Sequence, residues 1–153
     1  MTKCDSTDAD DDDALLMLYN RDLMALSSQV CAPKCLPAPD AKATAVSAVC
    51  GSEVTVELSL KGDKVEAFGY AVEACTLTKA VVAIMARAVP GKSRQDIASA
   101  GEALQAMMAG TAPPPSGDWA ELKILTPVIG YKSRHDTIML PFEAVEKAFT
   151  QRK

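Results

Sequence analysis

Residues 53–88 read EVTVELSLKGDKVEAFGYAVEACTLTKAVVAIMARA. The first nine alternate: Val54, Val56, Leu58 and Leu60 fall on one side, Thr55, Glu57, Ser59 and Lys61 on the other. A period of two predicts a half-buried strand over 53–61. Lys61-Gly62-Asp63-Lys64 then reads as a turn, followed by a second strand over 64–73. At Cys75 the period changes. Leu77, Ala80, Val81, Ile84 and Met85 recur at helical spacing, predicting a helix over 76–88.

Ala43–Val49 reads as a third strand, so the three form an antiparallel meander around residues 44–73. Pro90-Gly91 ends the first helix. Ser93 and Asp96 form a capping box that opens a helix to about Met108, with Ile97, Leu104, Met107 and Met108 inward. Residues 110–117 hold three prolines and read as a surface loop. Trp119–Val128 is a further helix, broken at Pro127. Pro141 reads as a first-turn proline opening a last helix, with Phe142, Val145 and Phe149 on one face. Upstream, Leu15, Leu16, Leu18, Tyr19, Leu23 and Leu26 predict an amphipathic helix over 12–28. Pro33, Pro37 and Pro39 make residues 30–42 an extended loop. Strands first and helices afterwards define an α+β fold: a small three-stranded antiparallel sheet with helices packed on one face.

The chain has 153 residues, 48% hydrophobic and 24% charged, as expected of one globular domain. Its formal charge of −4 is uneven: residues 1–13 carry −5 and the remaining 140 carry +1. Residues 1–13 therefore read as an acidic disordered leader, and 14–150 as a single domain. Nothing is basic enough for a nucleic-acid footprint. No apolar run approaches a membrane span, and no secretory pattern is visible. The expected location is cytoplasmic, with no nucleic-acid or membrane partner.

Five cysteines are an odd number for such a chain, so metal or thiol chemistry is a better expectation than a disulfide framework. Cys50 precedes Gly51 at a strand junction, where glycine lets the backbone turn tightly. Cys75 lies between a strand and a helix, where amides at the helix start favour a thiolate. Spacing alone leaves open that both are small buried hydrophobes, since they lie 25 residues apart with no CxxC. No Cys–His–Asn arrangement or nucleotide loop supports a thiol enzyme of another kind.

From Ala45 to Phe149 the sequence resembles the NifU/IscU/SufU scaffolds on which iron–sulfur clusters are built. The resemblance is carried by Cys50-Gly51, by a strand–turn–strand leading into Glu73-Ala74-Cys75, and by the Pro-Gly-Lys helix ending at Met107-Met108-Ala109-Gly110. Arg134-x-x-Thr137-x-x-Leu140-Pro141-Phe142-x-Ala144 completes it. The insertion around 93–117 is more like the SufU branch. The family's first motif reads Cys-Gly-Asp, and here the metal-binding aspartate position is Ser52. Its last motif places a cysteine three residues after the arginine, and here that position is Thr137. The residue before, a metal-binding histidine in some members, is Asp136.

The resemblance therefore implies Cys50 and Cys75 as persulfide acceptors, and Cys50, Cys75 and Asp136 as the remaining metal ligands for zinc or an iron–sulfur cluster. Neutral hydroxyls at 52 and 137 are poor ligands, so an altered metal site is expected. Cys35, Cys31 and His135 are candidates to complete it. Cys31-x-x-x-Cys35 is by itself a weak zinc signal, and dithiol chemistry or loop thiols of no consequence remain open for the pair. A lone His in a polar run is more often a surface residue than a ligand. The implied partner is a cysteine desulfurase. The implied function is a cluster assembly scaffold or sulfur acceptor, a carrier more than an enzyme. The alternative is a degenerate member that binds and regulates assembly partners without metal.

Overall fold

A computed structural model describes residues 21–30, 32–47, 51–74, 76–129 and 135–151. Cys4, Cys31, Cys50, Cys75, the leader and residues 12–20 of the first expected helix lie outside them. The elements are α1 (Arg21–Ser28), β1 (Ala41–Val46), β2 (Glu53–Lys61), β3 (Lys64–Glu73), α2 (Thr76–Ala88), α3 (Arg94–Met108), a 3₁₀ helix (Gly117–Val128) and α4 (His135–Gln151). The sheet order is β1-β2-β3, antiparallel throughout. This is the expected α+β meander.

The alternation of β2 sets which face is buried. Val54, Val56 and Leu58 are fully buried, with Ala41, Ala43 and Ala45 of β1 and Phe68 of β3 beside them. Against this one face lie α2, whose side chains are buried on almost every side, and the apolar stripe of α4. The other face keeps Thr44 and Thr55 half-buried, their hydroxyls 2.7 Å apart. The proline loop crosses this second side. Lys34 exchanges backbone bonds of 2.8 and 2.9 Å with Tyr70 at the β3 edge, and the Leu36 N–H donates to the Glu57 carboxylate at 2.8 Å. Asp40 then accepts from the Leu60 N–H at 2.7 Å. That anchor starts β1 at Ala41, two residues before the expected start.

Gly69 makes the crossing possible. A Cβ there would stand 2.6 Å from the Lys34 carbonyl oxygen and 3.0 Å from Leu36 Cγ. The proline loop, which forms a strap across the sheet, would have to lift off β3, because the nearer atom is backbone. Gly69→Ala is expected to lower stability by about 1–3 kcal/mol in urea unfolding. An unchanged midpoint would mean that the strap contributes nothing to the fold.

Two further elements differ from expectation. The segment before Val128 is a 3₁₀ helix that continues through Pro127. Among its described side chains the buried ones are Trp119, Leu122 and Leu125, a spacing of three that suits three residues per turn. The last helix begins at His135, so Pro141 lies inside it and not in its first turn. An interior proline has no N–H for the carbonyl four residues earlier, here Thr137. The Thr78 hydroxyl on α2 donates to that carbonyl at 3.1 Å. A tertiary donor therefore answers the lost helical bond and lets the helix run through the proline. The capping box on α3 is present as expected. The Ser93 hydroxyl accepts from the Asp96 N–H, and the Asp96 carboxylate accepts from the Ser93 N–H. Bonding to the carboxylate, first from the Ser93 N–H and then from the Ser93 side chain, holds the Asp96 carboxyl below its usual range.

Candidate functional site

Three chain segments meet at one end of the sheet. Val46, Glu53 and Glu73 pair in a single row, so the β1–β2 connection and the exit of β3 share this end. The connection is closed by Ser47 N–H to Ser52 O at 2.8 Å and Gly51 N–H to Ser47 O at 2.9 Å. Gly51 has φ +71°, a left-handed conformation that glycine adopts without steric cost. Cys50 precedes this glycine in sequence. Cys75 stands between Ala74 and Thr76, the first residue of α2. Both cysteines lie outside the described residues, so only their neighbours are placed.

The third segment is the first turn of α4, tied to the first turn of α2 by the Thr78–Thr137 bond. Thr137 is 2% exposed and Ser52 is 5% exposed. Asp136 is exposed. Glu143, two turns further along α4, has its carboxyl pushed up first by burial and then by the charge of Asp136. His135 is half-buried, and its Nε2–H donates to the Ile129 carbonyl at 3.1 Å. A carbonyl can only accept, so Nε2 carries a proton, and Nδ1 of the neutral ring is the acceptor.

Burial of polar groups is concentrated here. Ser47, Ser52, Thr76, Thr78, Lys79 and Thr137 are all buried, and of the other described polar side chains only Ser27 is. Polar groups leave water at a cost unless they are bonded, so such a concentration marks a built site better than a packing accident. Thr78 and Lys79 carried no sequence signal. Thr78 meets its partner 59 residues away, and Lys79 sits in a helix that reads as plain core.

Cys35 lies apart from this end. It is exposed, on the strap next to Lys34, whose partner Tyr70 is three residues before the end of β3. Among the described residues no three of His, Cys, Asp or Glu come together to hold a metal ion. Of the ligand positions that the resemblance implies, the described ones hold two buried hydroxyls, Ser52 and Thr137, and one exposed carboxylate, Asp136, a donor set that by itself fits neither zinc nor a cluster.

A three-stranded antiparallel meander, with helices on one face and loops converging at one sheet end, defines a U-type scaffold domain. The chain is 35% identical to the N-terminal part of a NifU-like protein of Brucella abortus, over 86% of this chain and 92% of that one, at a TM-score of 0.81. It belongs to the NifU/IscU/SufU family. A protein of Fervidobacterium islandicum assigned to the SUF system as an iron–sulfur cluster assembly scaffold shares the fold at a TM-score of 0.77, with 21% identity over 86% of this chain and 96% of that one. An iron–sulfur cluster assembly scaffold protein, IscU, of Streptococcus pyogenes is 25% identical over 99 residues, 65% of this chain and 62% of that protein's length. The chain thus matches under two thirds of this curated relative. No family sequence model matches the chain. No described helix is long and apolar enough to cross a membrane.

Proposed function

We propose that this chain takes part in iron–sulfur cluster assembly as a cytoplasmic sulfur acceptor whose metal site has been altered. The observation that carries this reading is the burial of hydroxyls, Ser52 and Thr137, at the two positions where the resemblance expects charged ligands. A buried hydroxyl contributes no negative charge toward a cation, and removing two anionic ligands weakens a divalent site far more than it weakens thiol chemistry. No step here runs through a resident metal.

Sulfur transfer needs an accessible thiolate and little else. The thiolate of Cys50 or Cys75 attacks the terminal sulfur of a persulfide on a cysteine desulfurase. The sulfur–sulfur bond of the donor breaks, its cysteine leaves as a thiolate, and this chain carries the new persulfide. The oxidation state of the transferred sulfur is unchanged and no outside reductant is consumed. Iron and the finished cluster are cargo.

The test is incubation with a cysteine desulfurase and radiolabelled cysteine, followed by non-reducing separation. Label on this chain that dithiothreitol releases supports the reading. Tight binding to the desulfurase without label would instead favour a partner-binding regulator.

A further inference from the structure

We propose that Thr78 is the positioning residue of this site. It sets the first turn of α4, and so position 137, against the start of α2. The proposal rests on the functional reading above, and it concerns a residue outside those quoted above as carrying the resemblance.

Pro141 cannot donate to the Thr137 carbonyl, and that carbonyl is held at 3.1 Å by Thr78 Oγ1 from another helix. Thr78 is 0% exposed and Thr137 is 2% exposed, so water is not at hand to replace the bond. A helical carbonyl is normally satisfied within its own helix and says nothing about where the helix lies. Here the satisfaction comes from α2, so the bond fixes the position of one helix start relative to the other. Thr78 lies three residues after Cys75, and Thr137 stands at the family's last ligand position. The hydroxyl thus links the two helix starts that must stay in register for groups at 75 and 137 to act together. A methyl in its place would keep the volume and lose the bond. Serine would keep the bond.

Two measurements test this. The first places a reporter thiol with Thr137→Cys, alone and combined with Thr78→Ser or Thr78→Val. Its alkylation rate is followed by peptide mass spectrometry, which separates it from the five native cysteines. Ala148→Cys, at a 0% exposed position late in α4, reports global opening. Thr78→Val is expected to raise the rate at 137 at least tenfold and Thr78→Ser less than twofold, with the rate at 148 changing less than twofold. The second measures zinc affinity by chelator competition in the Ser52→Asp/Thr137→Cys background. Thr78→Val is expected to weaken it at least tenfold, and Thr78→Ser to leave it within twofold. Equal acceleration at 137 and 148, an unchanged rate at 137, or zinc affinity indifferent to Thr78→Val would each overturn the proposal. If that background binds no zinc even with Thr78 intact, the altered-metal-site reading falls, while the alkylation rates still decide the role of Thr78.

Discussion

The double variant Ser52→Asp/Thr137→Cys is expected to bind zinc about 10²–10⁴-fold more tightly than the wild type. A complete structural zinc site is worth about 10–16 kcal/mol, or roughly 3 kcal/mol per ligand when shared among four. Two restored ligands would therefore give about four decades at 1.4 kcal/mol each. The lower bound allows for desolvation, because Ser52 is 5% exposed and an aspartate there must give up water. The same burial predicts a second result. Without metal the double variant should melt at a lower temperature than the wild type, since an unpaired carboxylate is left in a dry site. Saturating zinc should raise its melting temperature above that of the metal-free wild type. Chelator competition and thermal melts with and without zinc check both. A wild type that already binds as tightly as the variant would mean that other groups complete the site, with Cys31, Cys35 and His135 the first to replace. Failure of both proteins to bind would favour the partner-binding reading.

The fold was legible wherever the signal was local. Val54, Val56, Leu58 and Leu60 announced a strand by alternation, and the Ser93/Asp96 box marked the start of α3. Pro141 misled because its first-turn preference is a local rule. What overrides it is the Thr78 hydroxyl, a donor 59 residues from the carbonyl it serves. The 3₁₀ helix was in principle readable, since Trp119, Leu122 and Leu125 fall at a spacing of three. The strap was not, because Gly69 reads as a flaw in a strand until the Lys34 carbonyl is seen against it. The candidate site was less legible still. Cys50 and Cys75 lie 25 residues apart, and their spacing proposes no shared ion. Their places at a strand junction and a helix start single them out as thiols, but only the resemblance joins them into one site and marks positions 52 and 137. The structure adds that both hydroxyls are buried and that Ser47, Gly51, Ala74 and Thr76, the described residues nearest the two cysteines, lie at one end of the sheet.

Sulfur uptake is expected to fall at least a hundredfold, to background, when Cys50→Ala and Cys75→Ala are combined. Each cysteine adjoins a residue placed at the open end of the sheet: Gly51 in the β1–β2 connection and Thr76 at the start of α2. The start of a helix favours an anion through its unpaired amides, so α2 provides a setting for a thiolate that a surface strap does not. Cys35 is exposed, but it lies along the β3 edge and not at that end. Cys35→Ser should therefore retain at least half of the uptake. The two single alanine variants then separate one acceptor from two. If both thiols accept sulfur, the wild type should carry about two labelled atoms per chain and each single variant about one. If Cys75 alone receives sulfur from the desulfurase, Cys75→Ala should match the double variant and Cys50→Ala the wild type. Thiolates attack persulfides only where the donor can reach them, so alanine at both positions leaves no nucleophile at that end and no residual route. Label surviving in the double variant would place the acceptor among Cys4, Cys31 and Cys35, and the assignment of Cys50 and Cys75 would fall with it.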